Sequence, residues 1–215
     1  PLSILFILNL VLFLFIHTLA SASIFIESEE TPWGVLIFDL GTTVDGYSHP
    51  VVIDWDSDGD DDLIVGQQDG TLSYFENDGS NSFTETEDFG SIDIGHYSMP
   101  TVIDWDSDGD FDLIIGEFDG TLNFYENDGS DGFTETTNYE SIDVGDFSAP
   151  FAIDWDNDGD IDIIVGESGG TLSYFENDGS DSFTETTNYA SIDVGQRAVP
   201  NVFDWDEDGD YDFII

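Results

Sequence analysis

Four nine-residue segments of this chain carry an acid at every odd position: DWDSDGDDD at 54–62, DWDSDGDFD at 104–112, DWDNDGDID at 154–162 and DWDEDGDYD at 204–212. Oxygen donors at alternate positions, with a glycine at position 6 to turn the chain sharply, are what a hard cation such as Ca²⁺ requires. The spacing therefore predicts calcium as the cofactor. In the first loop it assigns side-chain ligation to Asp54, Asp56, Asp58 and Asp62, and a main-chain carbonyl to Asp60. The same register assigns Asp104, Asp106, Asp108, Asp110 and Asp112 in the second loop and Asp154, Asp156, Asp158, Asp160 and Asp162 in the third. Asp204, Asp206, Asp208, Asp210 and Asp212 complete the set in the fourth. Magnesium suits these loops less, because it prefers a compact octahedron that retains waters.

Electrostatics argue the same way. Two carboxylates about 4 Å apart repel by about 4 kcal/mol at an effective dielectric near 20, so five acids within one short loop need a counter-charge. The opening DxDxDG also begins an EF-hand, but that loop ends in a bidentate glutamate at position 12, between two helices. Position 12 here is Val65, Ile115, Val165 or Ile215, each inside an apolar run. The EF-hand is excluded. A salt-adapted surface would be equally acidic but would scatter its aspartates, whereas one spacing recurs here four times.

The loops belong to a longer repeat. Pro50, Pro100, Pro150 and Pro200 head copies spaced 50 residues apart without insertion, and the second and third copies agree at about two thirds of positions. Such self-similarity at a fixed period marks a stacked-unit architecture. The units run 50–99, 100–149, 150–199 and, truncated, 200–215; residues 23–49 read as a partial, more divergent first copy. Within a unit, Val51–Ile53, Leu63–Val65 and Thr71–Phe75 are apolar runs bounded by turn signals, and Phe83–Thr86 is a Thr-rich fourth strand. Asn77-Asp78-Gly79 between the last two is a tight-turn signal. The predicted fold is all-β: a partial β-propeller of four-stranded antiparallel blades, about 50 residues per blade. A closed ring of six to eight such blades needs roughly 300–400 residues, so the sequence reads as a fragment.

Composition narrows the partners. The chain has 215 residues, 49 acids, one lysine or arginine (Arg197) and no cysteine, for a formal net charge of -48. Nucleic acid and anionic membrane surfaces select clusters of Lys and Arg, so both are excluded as partners. A disulfide framework is excluded as well. Hydrophobic residues at 40% and aromatic residues at 14% still supply a core. Residues 1–22 read as an N-terminally incomplete signal peptide: an apolar run from Leu2 to Ala20 ends in Ala20-Ser21-Ala22, the small-residue pattern of a cleavage site. A retained anchor is the alternative, and either way the rest of the chain is secreted or on the cell surface.

The DxDxDGDxD loop, followed by DLIVG or DLIIG and then GTLSYFENDGS, closely resembles the FG-GAP-like or VCBS repeats, related to the calcium-bearing blades of integrin alpha-subunit propellers. The resemblance covers Pro50 to Ile215. It implies a propeller, often seven-bladed, with calcium held between the first two strands of its blades. The number of repeats here departs from that pattern.

Trp55, Trp105, Trp155 and Trp205, at loop position 2, fit packing between blades better than sugar stacking. The ENDGS segments at Glu76, Glu126 and Glu176 fit turns better than a second cation site. His49 and His96 occupy different repeat positions and His17 lies in the leader, so no nucleophile and base recur together and no catalytic residue is assigned. The copies diverge most at Gln67–Asp69, Glu117–Asp119 and Glu167–Gly169, and before the prolines, at His96–Met99 and Gln196–Val199. Variable loops on a fixed scaffold are where a ligand-binding face is built. The expected function is a non-enzymatic adhesion or ligand-binding module, its ligand an extracellular protein or carbohydrate, with calcium structural. The alternative is the propeller portion of a larger extracellular enzyme such as a polysaccharide lyase or hydrolase.

Overall fold

The computed structural model describes residues 23–27, 35–39, 47–80, 82–86, 89–130, 132–136, 142–180, 182–186, 189, 191–206 and 208–215. The leader expected over 1–22 lies outside them. The chain divides into two compact units, Pro1–Gly46 and Tyr47–Ile215. In the first, β1 (Ser23–Glu27) pairs antiparallel with β2 (Val35–Asp39). No helix among the described residues is long and apolar enough to cross a membrane.

The second unit is three four-stranded antiparallel sheets and a two-stranded one, each a simple meander. The first sheet is β3 (His49–Ile53), β4 (Asp62–Gly66), β5 (Leu72–Asn77) and β6 (Phe83–Thr86). The second is β7 (Met99–Ile103), β8 (Asp112–Gly116), β9 (Leu122–Asn127) and β10 (Phe133–Thr136). The third is β11 (Ala149–Ile153), β12 (Asp162–Gly166), β13 (Leu172–Asn177) and β14 (Phe183–Thr186). β15 (Asn201–Phe203) and β16 (Asp212–Ile214) form the last. These sheets are unclosed propeller blades, as the sequence predicts. Boundaries differ by one or two residues: the first strand starts at His49, the second takes in Asp62 and Gly66, and the third runs to Asn77 without Thr71, which instead bridges Asp93.

The second strand of each blade is buried along its whole length, which is why DLIVG, DLIIG and DIIVG are nearly all apolar. Side chains alternate faces along a strand, so β8 and β12 pack against the blades on both sides of them. Ile64 joins a core with Leu113 and Ile115 of the next blade, and Ile114 joins one with Ile163 and Val165 of the blade after. The core thus lies between sheets, and no blade can fold its faces away alone. Close approach requires the glycine that ends each of these strands. A Cβ at Gly116 would lie 2.0 Å from the Ser148 carbonyl oxygen and 2.7 Å from Pro150, which explains the glycine.

Candidate metal centre

Each acidic loop joins the first two strands of a blade, whose pairing brings Ile53 opposite Asp62 and so fixes the loop's two ends. The loop then closes on its own carboxylates. Asp54 Oδ2 accepts from the Gly59 amide at 3.2 Å, Asp56 Oδ1 from the Asp58 amide at 3.1 Å, and Asp58 Oδ1 from the Asp60 amide at 2.9 Å. The third loop repeats these contacts, with Gly159 to Asp154 at 3.1 Å and Asp160 to Asp158 at 3.0 Å. Gly59 adopts φ +100°, which side-chain-bearing residues avoid, and nothing lies within 4 Å of a Cβ placed there. The glycine is therefore required by backbone conformation alone.

The result gathers positions 1, 3 and 5. One carboxylate oxygen from each of Asp54, Asp56 and Asp58 lies within 4.8 Å of the others, and the triplets Asp104/Asp106/Asp108 and Asp154/Asp156/Asp158 are arranged alike. In the fourth loop the gathered residues are Asp204, Asp206 and Asp212. In the first and second loops the Oδ1 atoms of Asp54 and Asp104 are buried and have no hydrogen-bond partner. A buried carboxylate oxygen without a donor is costly, and a cation is the natural partner for it. An all-oxygen donor set with an orphaned, buried anionic atom fits a hard divalent cation. The triplets can hold one.

Positions 7 and 9 are used differently. A Cβ at Gly79 would meet Asp60 Oδ2 at 2.3 Å, so the Asp60 side chain lies against the ENDGS turn; Asp110 and Asp160 lie likewise against Gly129 and Gly179. None of these three carboxylates belongs to a gathered triplet. Asp62, Asp112 and Asp162 are buried, and in these loops they fall outside the gathered triplets. Asp62 Oδ2 accepts from the Trp55 amide at 3.1 Å and the Tyr74 hydroxyl at 2.8 Å, and Oδ1 accepts from the Asn77 amide at 2.8 Å. Asp162 has the same three donors, from Trp155, Tyr174 and Asn177. Asp112 keeps those from Trp105 and Asn127, but Phe124 stands where the hydroxyl would be.

The asparagine of each ENDGS turn completes the loop. Its side-chain amide donates to the main-chain carbonyl of loop position 8: Asn77 to Asp61, Asn127 to Phe111 and Asn177 to Ile161, at 2.9, 3.1 and 3.1 Å. Turn propensity alone accounts for the ENDGS sequence, so this second role was not read from it. The available signal was the fixed separation of 15 residues between the last loop acid and the asparagine. The tryptophans pack between blades. Trp55 lies 6.1 Å from both Phe111 and Phe133 of the next blade, and Trp155 stacks on Phe213 at 4.6 Å. Trp205, with no following blade among the described residues, is 66% exposed.

Burial, opposed by the hydrogen bond from Asp58 and reinforced by repulsion from Asp58, Asp62 and Asp54, raises the Asp56 carboxyl above the usual range. Burial also raises Asp112 and Asp162, while repulsion from Asp208 is the main cause for Asp206. These groups hold protons more tightly folded than unfolded. Their contribution to stability is complete below the ordinary carboxylate value and is lost as pH rises through the raised one. A bound cation reverses the sign, because it takes only the ionised form. Asp69, Asp78 and Asp178 are lowered, chiefly by side-chain hydrogen bonds from Thr71, Ser80 and Ser180, but they act equally with and without metal. Thermal melts against pH should therefore show metal-stripped protein losing stability relative to metal-loaded protein as pH rises from about 4 to 6. Parallel curves would mean that no cation binds the loops.

No curated protein sequence matches the chain. The model of the FG-GAP-like repeat family matches three times, at residues 54–115, 104–165 and 154–215. Each match opens on the first aspartate of one acidic loop and runs through the whole of the next. Together they cover the chain from Asp54 to its last residue, so the protein belongs to the FG-GAP-like repeat family.

Proposed function

We propose that this chain is a calcium-stabilised propeller module, exported from the cytoplasm, which binds a protein or carbohydrate and carries no chemistry of its own. The observation that carries the metal reading is the orphaned, buried Oδ1 of Asp54 and of Asp104 within a triplet arrangement that the first three loops share. Calcium is the favoured ion because the loop offers many flexible oxygens, including main-chain carbonyls, rather than a rigid octahedron. In this reading Asp54, Asp56, Asp58 and the Asp60 carbonyl bind the ion directly, and Asp62 sets the loop's shape while retaining lone pairs for it. Export rests on the apolar run Leu2–Ala20 and the Ala20-Ser21-Ala22 site. The binding role rests on the family's scaffold and on the variable loops between strands.

Calcium titration of the full chain and three variants tests the metal assignment. Asp104→Ala and Asp108→Ala should each abolish about one equivalent of binding or weaken it at least tenfold. Asp69→Ala should leave it unchanged, since the Asp69 carboxylate is held by the Thr71 amide and hydroxyl, at 3.1 and 2.6 Å. Equal losses in all three would show the ligands to be misplaced.

A further inference from the structure

The residues at repeat position 47 converge on one pocket. Tyr47, Tyr97, Phe147 and Arg197 come from four successive repeats, and all four line a cavity of about 140 Å³ at the starts of the first strands of the blades. Tyr97 lies 5.3 Å from Tyr47 and 4.9 Å from Phe147, centroid to centroid, and Phe118 adds a further ring 5.5 Å from Phe147. Over these faces sits the Arg197 guanidinium, 4.8 Å from the Phe147 ring and 5.3 Å from that of Tyr47. Tyr97, Phe147 and Arg197 all adopt positive φ, at 60°, 69° and 53°. Each is held there by its own amide, donating to the carbonyl of Gln68, Phe118 or Ser168 at 3.0–3.1 Å. Bulky side chains at such backbone angles are uncommon and persist where the surrounding structure holds them.

The charge pattern makes the arrangement informative. Arg197 is the one lysine or arginine in a chain of 49 acids, yet among the described residues no carboxylate pairs with it. Instead two aromatic faces hold it at an exposed rim. No hydrogen bond among the described residues engages its N–H fork, which is left for a bidentate carboxylate. Fixing the side chain in advance lowers the entropic cost of using it. Tyr97 and Phe147, inclined at 48° to each other, form an apolar side of the cavity against which a ring can pack.

We propose that this pocket binds a ring-bearing carboxylate, with the carboxyl group on the Arg197 fork and the ring against Tyr97 and Phe147. The source is either a uronic sugar or an aromatic acid, which share this chemistry. The proposal gives a ligand class to the binding role put forward above and rests on that role, but not on calcium ligation.

Calorimetric titration of the full chain, in saturating calcium and at physiological ionic strength, tests it. That salt confines the repulsion of the surrounding acids to about 8 Å. The probes are glucuronate and benzoate, with glucose and benzyl alcohol as neutral counterparts and acetate as a ringless anion. We expect glucuronate or benzoate to bind at least tenfold more tightly than its neutral counterpart and than acetate, and the tighter of the two identifies the source. Arg197→Lys, which keeps the charge and loses the fork, should weaken binding about tenfold. Arg197→Asn should abolish it without moving the melting temperature, since asparagine tolerates positive φ. Phe147→Leu should weaken it as well. Failure of both carboxylates to bind, or neutral rings binding equally well, overturns the proposal. So does binding that survives Arg197→Asn, which would place the carboxylate on a metal in the acidic loops. None of these outcomes touches the calcium assignment, which the titrations of Asp104→Ala and Asp108→Ala decide separately.

Discussion

Complete removal of calcium should lower the melting temperature by about 20 °C or more. Extracellular calcium modules bind at about 10⁻⁴ to 10⁻³ M, and a site filled at about 100 times its dissociation constant adds about 2.7 kcal/mol. Four loops then contribute on the order of 10 kcal/mol, comparable with the whole stability of an ordinary domain. In a chain of this size each kcal/mol moves the midpoint by about 2–4 °C. The effect reaches beyond the loops themselves. Trp55 leaves the first loop to pack against Phe111, which is position 8 of the second, and Trp155 meets Tyr211 of the fourth in the same way. A loop that splays without its cation therefore loosens the docking of the next blade. Melting curves recorded before and after exhaustive chelation measure this directly, and superimposable curves would remove calcium from any structural role.

Asp162→Ala should destabilise the calcium-loaded protein by about 3–5 kcal/mol, and excess calcium should not restore it. The substitution strands the amides of Trp155 and Asn177 and the hydroxyl of Tyr174, which all donate to that carboxylate at 2.9–3.1 Å. Each stranded buried donor costs about 1–3 kcal/mol. Asp112→Ala should cost about 1 kcal/mol less, because Phe124 has no hydroxyl to strand. Asp158→Ala should behave differently. It weakens a metal site while relieving repulsion, so added calcium should recover much of its loss by mass action. Urea unfolding at two calcium concentrations separates the cases. If raising calcium rescued Asp162→Ala as fully as Asp158→Ala, position 9 would be a ligand alone rather than the group that closes the loop.

The same residues show how far the sequence could be read. The odd-position acids identified the loops, and positions 1, 3 and 5 come together in the first three of them, while the fourth gathers positions 1, 3 and 9. The sequence could not separate position 9 from the rest, since an aspartate that binds metal and one that collects amide donors look identical in a string. The donors lie 7 residues before it and 12 and 15 residues after it, and only strand pairing brings them to one point. The tryptophans were legible as packing residues because a fixed aromatic in each unit suits an interface between units, while their partners depended on how adjacent blades stack. The segments before the prolines stood out only as variable. Nothing in Tyr47, Tyr97, Phe147 and Arg197, spaced 50 residues apart, indicates a shared pocket until the first strands of the blades lie side by side.

What the sequence determined by itself was everything encoded within one repeat: four strands, their turns, the acidic loop and the glycine its backbone needs. These follow from local periodicity and φ preference, which neighbouring residues impose on one another. The tertiary structure decided what depends on contacts across repeats and between strands: the burial of Asp62, Asp112 and Asp162, the clamp of Trp55, Trp105 and Trp155 on the next blade, and the placement of the sole arginine over aromatic rings. Those outcomes turn on distances between residues far apart in the chain, and such distances exist only once the sheets have packed.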